Sequence, residues 1–322
     1  MECKNTLTKI IGNNPIVKIN TLKGKNDKSA IYCKLEGFNP GGSIKDRTAI
    51  GLIRWAEEHK SLEKGGIIVE ASSGNLGVAL AMLSANMGYN FVCVVDPKAS
   101  KQNILAMKAY GARVIVSTEK DKNGSYQIPR IKRAKMIATE LNGIYLDQYS
   151  NGHLIDYHHT ITGYEIYKNI VQSIPCINVL VGCVSTGSHL SGISLAIKEQ
   201  IKYLKTIGVE PIGSVIFGGH PAPFLQNGTG LSFKPGNYID EAIDVKKKVS
   251  DIDAFNMVRT LAKDEGILLG GSSGSAVHSA HEFIKESDDE QHILVICPDL
   301  GHKYLDTIYN DEWFHDKFST VI

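Results

Sequence analysis

Lys45 is the side chain whose setting most directly permits covalent chemistry. It closes the glycine-rich turn Asn39-Pro40-Gly41-Gly42-Ser43-Ile44 and is followed by Asp46-Arg47. Alternation in Ala30-Ile31-Tyr32-Cys33-Lys34-Leu35-Glu36 predicts a strand before the turn,. The spacing of Ile50, Ile53, Trp55 and Ala56 predicts a helix over 48–59 after it,. An ammonium held beside the unpaired amides of a helix start is disfavoured relative to the free amine, and a free amine attacks an aldehyde. The plain alternative is a surface lysine at a capped helix start.

Three loops could bind anions: Ser72-Ser73-Gly74-Asn75-Leu76-Gly77, Ser185-Thr186-Gly187-Ser188 and Gly270-Gly271-Ser272-Ser273-Gly274. Each follows an apolar strand or precedes a helix. In a parallel sheet such loops gather at the carboxyl ends of strands, where one could hold a phosphate and another a carboxylate. Ordinary helix capping explains the same residue types. No spaced-glycine dinucleotide fingerprint or Gly-Lys-Ser/Thr phosphate loop is present, which disfavours nucleotide chemistry,. Ser73 lacks a hydrolase elbow. His158 and His159 are adjacent and have no third ligand at metal spacing, so they are expected at the surface or in caps and no metal is expected,.

The elements that must position these residues alternate. Strands are predicted at 67–70, 91–96 and 112–116, with helices at 78–87, 103–110 and 129–141; after a strand end at 145–148 comes a helix at 157–169. The second half repeats the pattern with strands at 178–184, 207–211 and 292–298 and helices at 254–263 and 275–284. That order predicts an α/β fold with parallel-rich sheets. Residues 218–237 carry glycine and proline without a period and are long enough for a functional loop,.

With 322 residues and 43% hydrophobic content, two lobes are expected, with a division near 147–151 that composition alone does not fix,. A net charge of +1, without charge blocks, gives no footprint for nucleic acid or an anionic membrane,. The absence of a signal-like start or a long apolar run points to the cytoplasm,. The six cysteines show no paired spacing, and Cys33, Cys93, Cys183 and Cys297 in apolar runs read as buried reduced thiols,.

Taken together, the Lys45 turn, the Ser72-to-Gly77 loop, Gln148-Tyr149, Glu265-Gly266-Ile267 with Gly271-Ser272-Ser273-Gly274, and Pro298-Asp299 with Tyr304-Leu305 resemble the cysteine synthase and cystathionine β-synthase family. The resemblance implies the two-lobe tryptophan-synthase-β fold (fold type II), with 40–147 as the smaller, mobile, substrate-binding lobe and 1–39 with 148–322 as the larger, cofactor-binding lobe, pyridoxal 5'-phosphate as cofactor and a homodimer. It implies that Lys45 forms the internal Schiff base, that Asn75 meets the ring hydroxyl, and that Ser272, or its neighbour Ser273, faces the pyridine nitrogen. Ser185, Thr186, Gly187, Ser188 and His189 stand where the family has a Gly-Thr-Gly-Gly-Thr phosphate cradle. Ser72, Ser73, Asn75 and Gln148 are implied to hold the substrate carboxylate. The implied reaction is β-replacement on an O-activated L-serine through an aminoacrylate, with closure of the smaller lobe excluding water; a neutral hydroxyl at the ring nitrogen favours this elimination chemistry.

Departures from the family pattern bear on substrate. Leu76 replaces a threonine, Ala71 a proline, Asn14 a threonine and His189 a threonine. Leu76, with Cys93-Val94-Val95-Asp96-Pro97-Lys98 and Gly213-Ser214-Val215-Ile216-Phe217-Gly218, resembles the branch making N-(2-amino-2-carboxyethyl)-L-glutamate from O-phosphoserine and glutamate, a step towards diaminopropionate. Phe233 stands where an arginine would meet a phosphorylated substrate, leaving Lys234 as a point charge,. The alternatives are cysteine synthase (O-acetylserine with sulfide), a cystathionine β-synthase-type activity, and a cofactor-binding regulatory protein without turnover.

Overall fold

The computed structural model of the chain describes residues 6–318 apart from 123 and 175. Ten strands occur in it: β1 Ile16–Ile19, β2 Ala30–Leu35, β3 Ile67–Ala71, β4 Asn90–Val95, β5 Arg113–Val116, β6 Ile144–Tyr145, β7 Val179–Cys183, β8 Lys205–Pro211, β9 Val245–Val249 and β10 His292–Cys297. The helices are α1 Lys45–His59, α2 Asn75–Met87, α3 Lys101–Ala109, α4 Gln127–Glu140, α5 His153–Tyr157, α6 Tyr164–Ser173, α7 Ser188–Gln200, α8 Asp251–Glu265, α9 Gly271–Glu286 and α10 Asp311–Phe318. A π-helical segment, His158–Gly163, joins α5 to α6.

Two sheets form. The larger has the order β1-β2-β10-β7-β8-β9, parallel throughout except where β1 runs antiparallel to β2. The smaller, β5-β4-β3-β6, is wholly parallel. Parallel strands need a crossover to return, and helices supply it on both faces. In β10, Ile293 and Val295 pack with Phe255, Val258, Ala276 and Ala280 of α8 and α9. The alternate residues Leu294 and Ile296 pack with Ile166, Ile170, Leu190 and Ile193 of α6 and α7. The smaller sheet is covered in the same manner, with α1 to α3 on one side and α4 on the other. Both faces are buried, which is why these strands read as almost continuous apolar runs.

Most helices start a few residues before their predicted positions, because their first turns are built from the polar loop residues themselves: α1 begins at Lys45 and α2 at Asn75. β9, with the sequence Val-Lys-Lys-Lys-Val, and α10 have no counterpart in the sequence reading. β9 is an edge strand whose lysines are exposed, a device that blocks further strand addition and hides the apolar signal of a strand,.

His158 corrects a sequence expectation. Rather than lying at the surface it is fully buried. Leu154, His158, Thr162, Ile166 and Ile170 are all buried, so it belongs to the inward stripe of the α5–π–α6 helix. Its ring nitrogens lie 3.1 Å from Thr48 Oγ1 and 3.0 Å from Thr162 Oγ1. Two adjacent histidines on a helix face different ways: His159 points outward and pairs with Glu199 at 2.9 Å. Cys33, Cys93, Cys183 and Cys297 are buried free thiols and Cys176 is exposed; Cys3 lies outside the described residues.

Candidate active site

The carboxyl ends of β3, β7 and β10 lead into Ser72, Val184-Ser185 and Pro298-Asp299. These ends frame one cavity of about 400 Å3. Its wall includes Lys45, Ser72, Ser73, Asn75, Gln148, Ser185, Thr186, His189 and Ser272. Gly187, Ser188 and Ser273 stand behind that wall. Residues 221–232, from the long irregular loop, cover one side.

Lys45 is presented by a tied turn. Asn39 bonds Glu36 O and receives the Gly12 amide, each at 2.8 Å; Ser43 pairs with Asp299 in an isolated antiparallel bridge; Lys45 N donates to Ser43 Oγ at 3.2 Å. Burial lowers the Lys45 ammonium to about 8, against the opposing charge of Asp299. Behind the turn lies a buried ion network. Arg47 Nε meets Glu36 Oε2 at 2.7 Å, Arg47 Nη1 meets Glu165 Oε2 at 2.7 Å, and Lys34 donates to Asn14 O.

Asn75 is held from both sides: its Nδ2 donates to Asp299 Oδ2 at 2.8 Å, and its Oδ1 accepts from Lys303 Nζ at 2.8 Å. Tyr304 OH also donates to Asp299 Oδ2 at 2.7 Å. Ser72 Oγ accepts the Gly77 amide at 3.1 Å, as the capping reading expects. Ser73 Oγ donates to Asp96 Oδ2 at 2.7 Å. Gln148 Nε2 donates to Ala71 O at 2.8 Å.

At the start of α7, Gly187 has φ 89°, and a Cβ there would lie 2.6 Å from Tyr238 Cα. Only glycine fits this close, left-handed turn. Thr186 Oγ1, Ser188 Oγ and both ring nitrogens of His189 are buried without hydrogen-bond partners among the described residues. Unspent donors at a helix N-terminus suit an anion, and the residues present therefore fit a phosphate-bearing group.

Several groups on or behind the wall were not foreseen. Arg130 pairs with Asp96 and donates to Ser73 Oγ at 2.6 Å and to Tyr149 OH at 2.9 Å. Its signal lay in register: Arg130 shares a helix face with buried Ala134, Ile137 and Ala138, where a cation needs a reason,. Lys98 and Lys303 also reach the cavity. Lys234 does not; it is exposed and lies over the Tyr238 ring at 5.2 Å, while Phe233 packs on Tyr149 with ring centroids 5.5 Å apart.

Glu70 lies behind the wall, accepting the Ala71 amide at 2.7 Å and the Gln148 amide at 3.2 Å. Burial pushes its carboxyl up from 4.5 to about 8, although both amides pull it down. The folded-state value lies above the unfolded one, so the stabilisation is full below about 4.5 and is lost as pH rises through about 8,. Thermal midpoints of the native chain should fall across that window relative to Glu70→Gln; a gap that widens in the opposite direction would contradict the assignment.

An α/β enzyme with a lysine, a helix-start anion cradle and a buried arginine around one cavity is the class that fold and site define. The chain belongs to the pyridoxal-phosphate dependent enzyme family, whose family model matches residues 7–299. It is 36% identical over 304 residues to N-(2-amino-2-carboxyethyl)-L-glutamate synthase of Ralstonia nicotianae, covering 94% of this chain and 89% of that one. Its fold is similar to a crystal structure of O-ureido-L-serine synthase, with 27% identity, a TM-score of 0.88 and coverage of 98% of this chain and 100% of that one. A hydrogen sulfide-producing enzyme from Fusobacterium nucleatum is 33% identical with a TM-score of 0.86, covering 94% and 100%. The chain is thus a pyridoxal phosphate-dependent enzyme of fold type II.

Proposed function

We propose that this enzyme carries out β-replacement on an O-activated L-serine, taking O-phosphoserine as donor and glutamate as acceptor to form N-(2-amino-2-carboxyethyl)-L-glutamate. The observation that carries the reading is the joining of Lys45, the anion cradle and a buried Arg130 in one cavity, in a chain similar to a synthase of that name. Bound pyridoxal phosphate supplies the electron sink for chemistry at the substrate Cα.

Lys45 would hold the cofactor, and its free Nζ would serve as the base for the substrate Cα proton. Ser185, Thr186, Gly187, Ser188 and His189 would hold its phosphate, Asn75 would meet its ring hydroxyl, and Ser272 its ring nitrogen. Ser72, Ser73, Asn75 and Gln148 orient the substrate carboxylate; Ser73 and Gln148 exchange their present partners to do so. Arg130 and Lys98 favour an anionic group on the substrate. Leu76 gives the wall an apolar surface beside the reacting carbon. The lobe of residues 40–147 closes over the site, and Gln127 Oε1, which accepts the Ser232 amide at 2.9 Å, is one tie to the covering loop. By resemblance to its family, the enzyme works as a cytoplasmic homodimer.

The test is a product matrix of O-phosphoserine, O-acetylserine and serine against glutamate, sulfide and homocysteine, read by mass spectrometry. O-phosphoserine with glutamate should give the largest product signal. Cysteine from O-acetylserine and sulfide alone would move the assignment to cysteine synthase. A cofactor absorbance that no donor changes would support the regulatory reading.

A further inference from the structure

Buried polar groups are normally hydrogen-bonded, so a cluster that is not marks the place of a missing partner. The first turn of α7 is such a cluster. Thr186 is 3% exposed, Ser188 0% and His189 3%, yet among the described residues their hydroxyls and both imidazole nitrogens have no partner at hydrogen-bonding geometry, the Cys183 backbone lying near the His189 ring without meeting it. Thr186 and His189 face the cavity that also holds Lys45. The neighbouring His158 shows the contrast: its ring lies edge-on to His189 with centroids 6.4 Å apart, and both of its nitrogens are satisfied by threonines. His189 is thus packed against a ring that has nothing left to offer it. The backbone points the same way. Gly187 is locked between α7 and Tyr238, the Ser191 amide reaches Gly187 O at 3.1 Å, and the amides before it have no carbonyl within the helix,.

We propose that the His189 imidazole, and not its backbone amide alone, donates an N–H to the phosphate of the bound cofactor, alongside the hydroxyls of Thr186 and Ser188. This rests on the reading of the cavity as the cofactor site. A phosphate at a helix start accepts several donors at once, whereas a lone carboxylate of the substrate would leave part of this set unpaired. Burial and then the charge of Lys45 pull His189 down to about 3, against a weaker pull upward from the Cys183 backbone, so the ring is neutral and contributes one donor without adding charge. Lys45 from α1 is the charged group that acts on it and disfavours its protonation; the neighbouring His158 from the π segment is itself held well below the ordinary imidazole value, by burial first. The turn therefore distinguishes a phosphorylated aldehyde from the bare one partly through this side chain.

The experiment compares pyridoxal 5'-phosphate with pyridoxal on the full-length chain, using the absorbance change on attachment to read each dissociation constant. Native protein, His189→Ala and His189→Thr are measured, with thermal midpoints to verify folding and 31P spectra of the loaded forms. His189→Ala should lose about tenfold or more of the preference for the phosphorylated aldehyde while its affinity for pyridoxal stays within about twofold. His189→Thr, which restores a hydroxyl donor, should recover most of the preference. The 31P resonance should move in His189→Ala. An unchanged preference, or an equal loss for both aldehydes, would overturn the assignment while leaving the function intact. Failure of either aldehyde to attach to the native protein would overturn the function and this inference together.

Discussion

Alanine in place of Lys45 is expected to cut turnover by at least about a thousandfold, because one side chain supplies both the attachment point and the base. The variant should still bind pyridoxal phosphate through the unspent donors of Thr186, Ser188 and His189, but the cofactor should leave on dialysis. Borohydride treatment and peptide mapping should fix the cofactor to Lys45 in the native enzyme and to nothing in the variant. Lys303 is the competing amine on the wall. It is tied to Asn75 Oδ1 at 2.8 Å and to Gly41 O at 3.4 Å; burial lowers its ammonium too, but the charges of both Asp299 and Asp46 oppose that loss. Burial lowers Lys45 to about 8 with the charge of Asp299 opposing it, and Lys45 lies at the helix start. Cofactor fixed at Lys303 in the native chain, or turnover in Lys45→Ala within tenfold of normal, would end the proposed chemistry.

The largest loss of stability should follow Arg47→Met. The arginine is 2% exposed and binds Glu36, itself 0% exposed, through Nε at 2.7 Å and Nη2 at 3.1 Å. Its other contacts are the two oxygens of Glu165, at 2.7 and 2.8 Å. Methionine fills much of the volume but leaves two carboxylates converging on buried space, with Lys34 as the nearest remaining cation, 3.8 Å from Glu165 Oε1. Removing one member of a buried network in this way costs about 3–5 kcal/mol. In a protein of this size that corresponds to a thermal midpoint lower by roughly 4–7 °C. The same network ties the Asn39 turn to β2 and α6, so a slower reaction should accompany the lower midpoint. A midpoint within about 2 °C of the native value would show that the network does not hold the turn.

How legible the chain was depended on whether a residue's neighbours were local. The α/β alternation was readable because strands buried on both faces produce apolar runs such as Ile67-Ile68-Val69 and Phe91-Val92-Cys93-Val94-Val95. The Lys45 turn was readable because Asn-Pro-Gly-Gly is turn chemistry before a periodic helix. β9 was lost because its partner β8 supplies the pairing while lysines occupy its exposed positions. His158 was misjudged because its partner Thr48 lies 110 residues away, and no local pattern records that α7 carries Gly192 where the helices approach. Arg130 and Asp96, 34 residues apart, became a pair only when α4 was laid against the smaller sheet. The positions of the cavity residues thus followed from strand ends, but their electrostatic neighbours required the assembled fold.

The pairing of β2 with β10 has a consequence for biogenesis. Gln291 N bonds Ser29 Oγ at the start of this pair, a contact spanning 262 residues, and the smaller sheet lies in sequence between the two strands. At about 5–20 residues per second, a ribosome leaves β2 waiting on the order of tens of seconds for that neighbour. During that interval its only completed partner is the short β1. The inner edge of the larger sheet, which later carries Pro298-Asp299 to Asn75, is the part of the newborn chain most in need of a chaperone's cover.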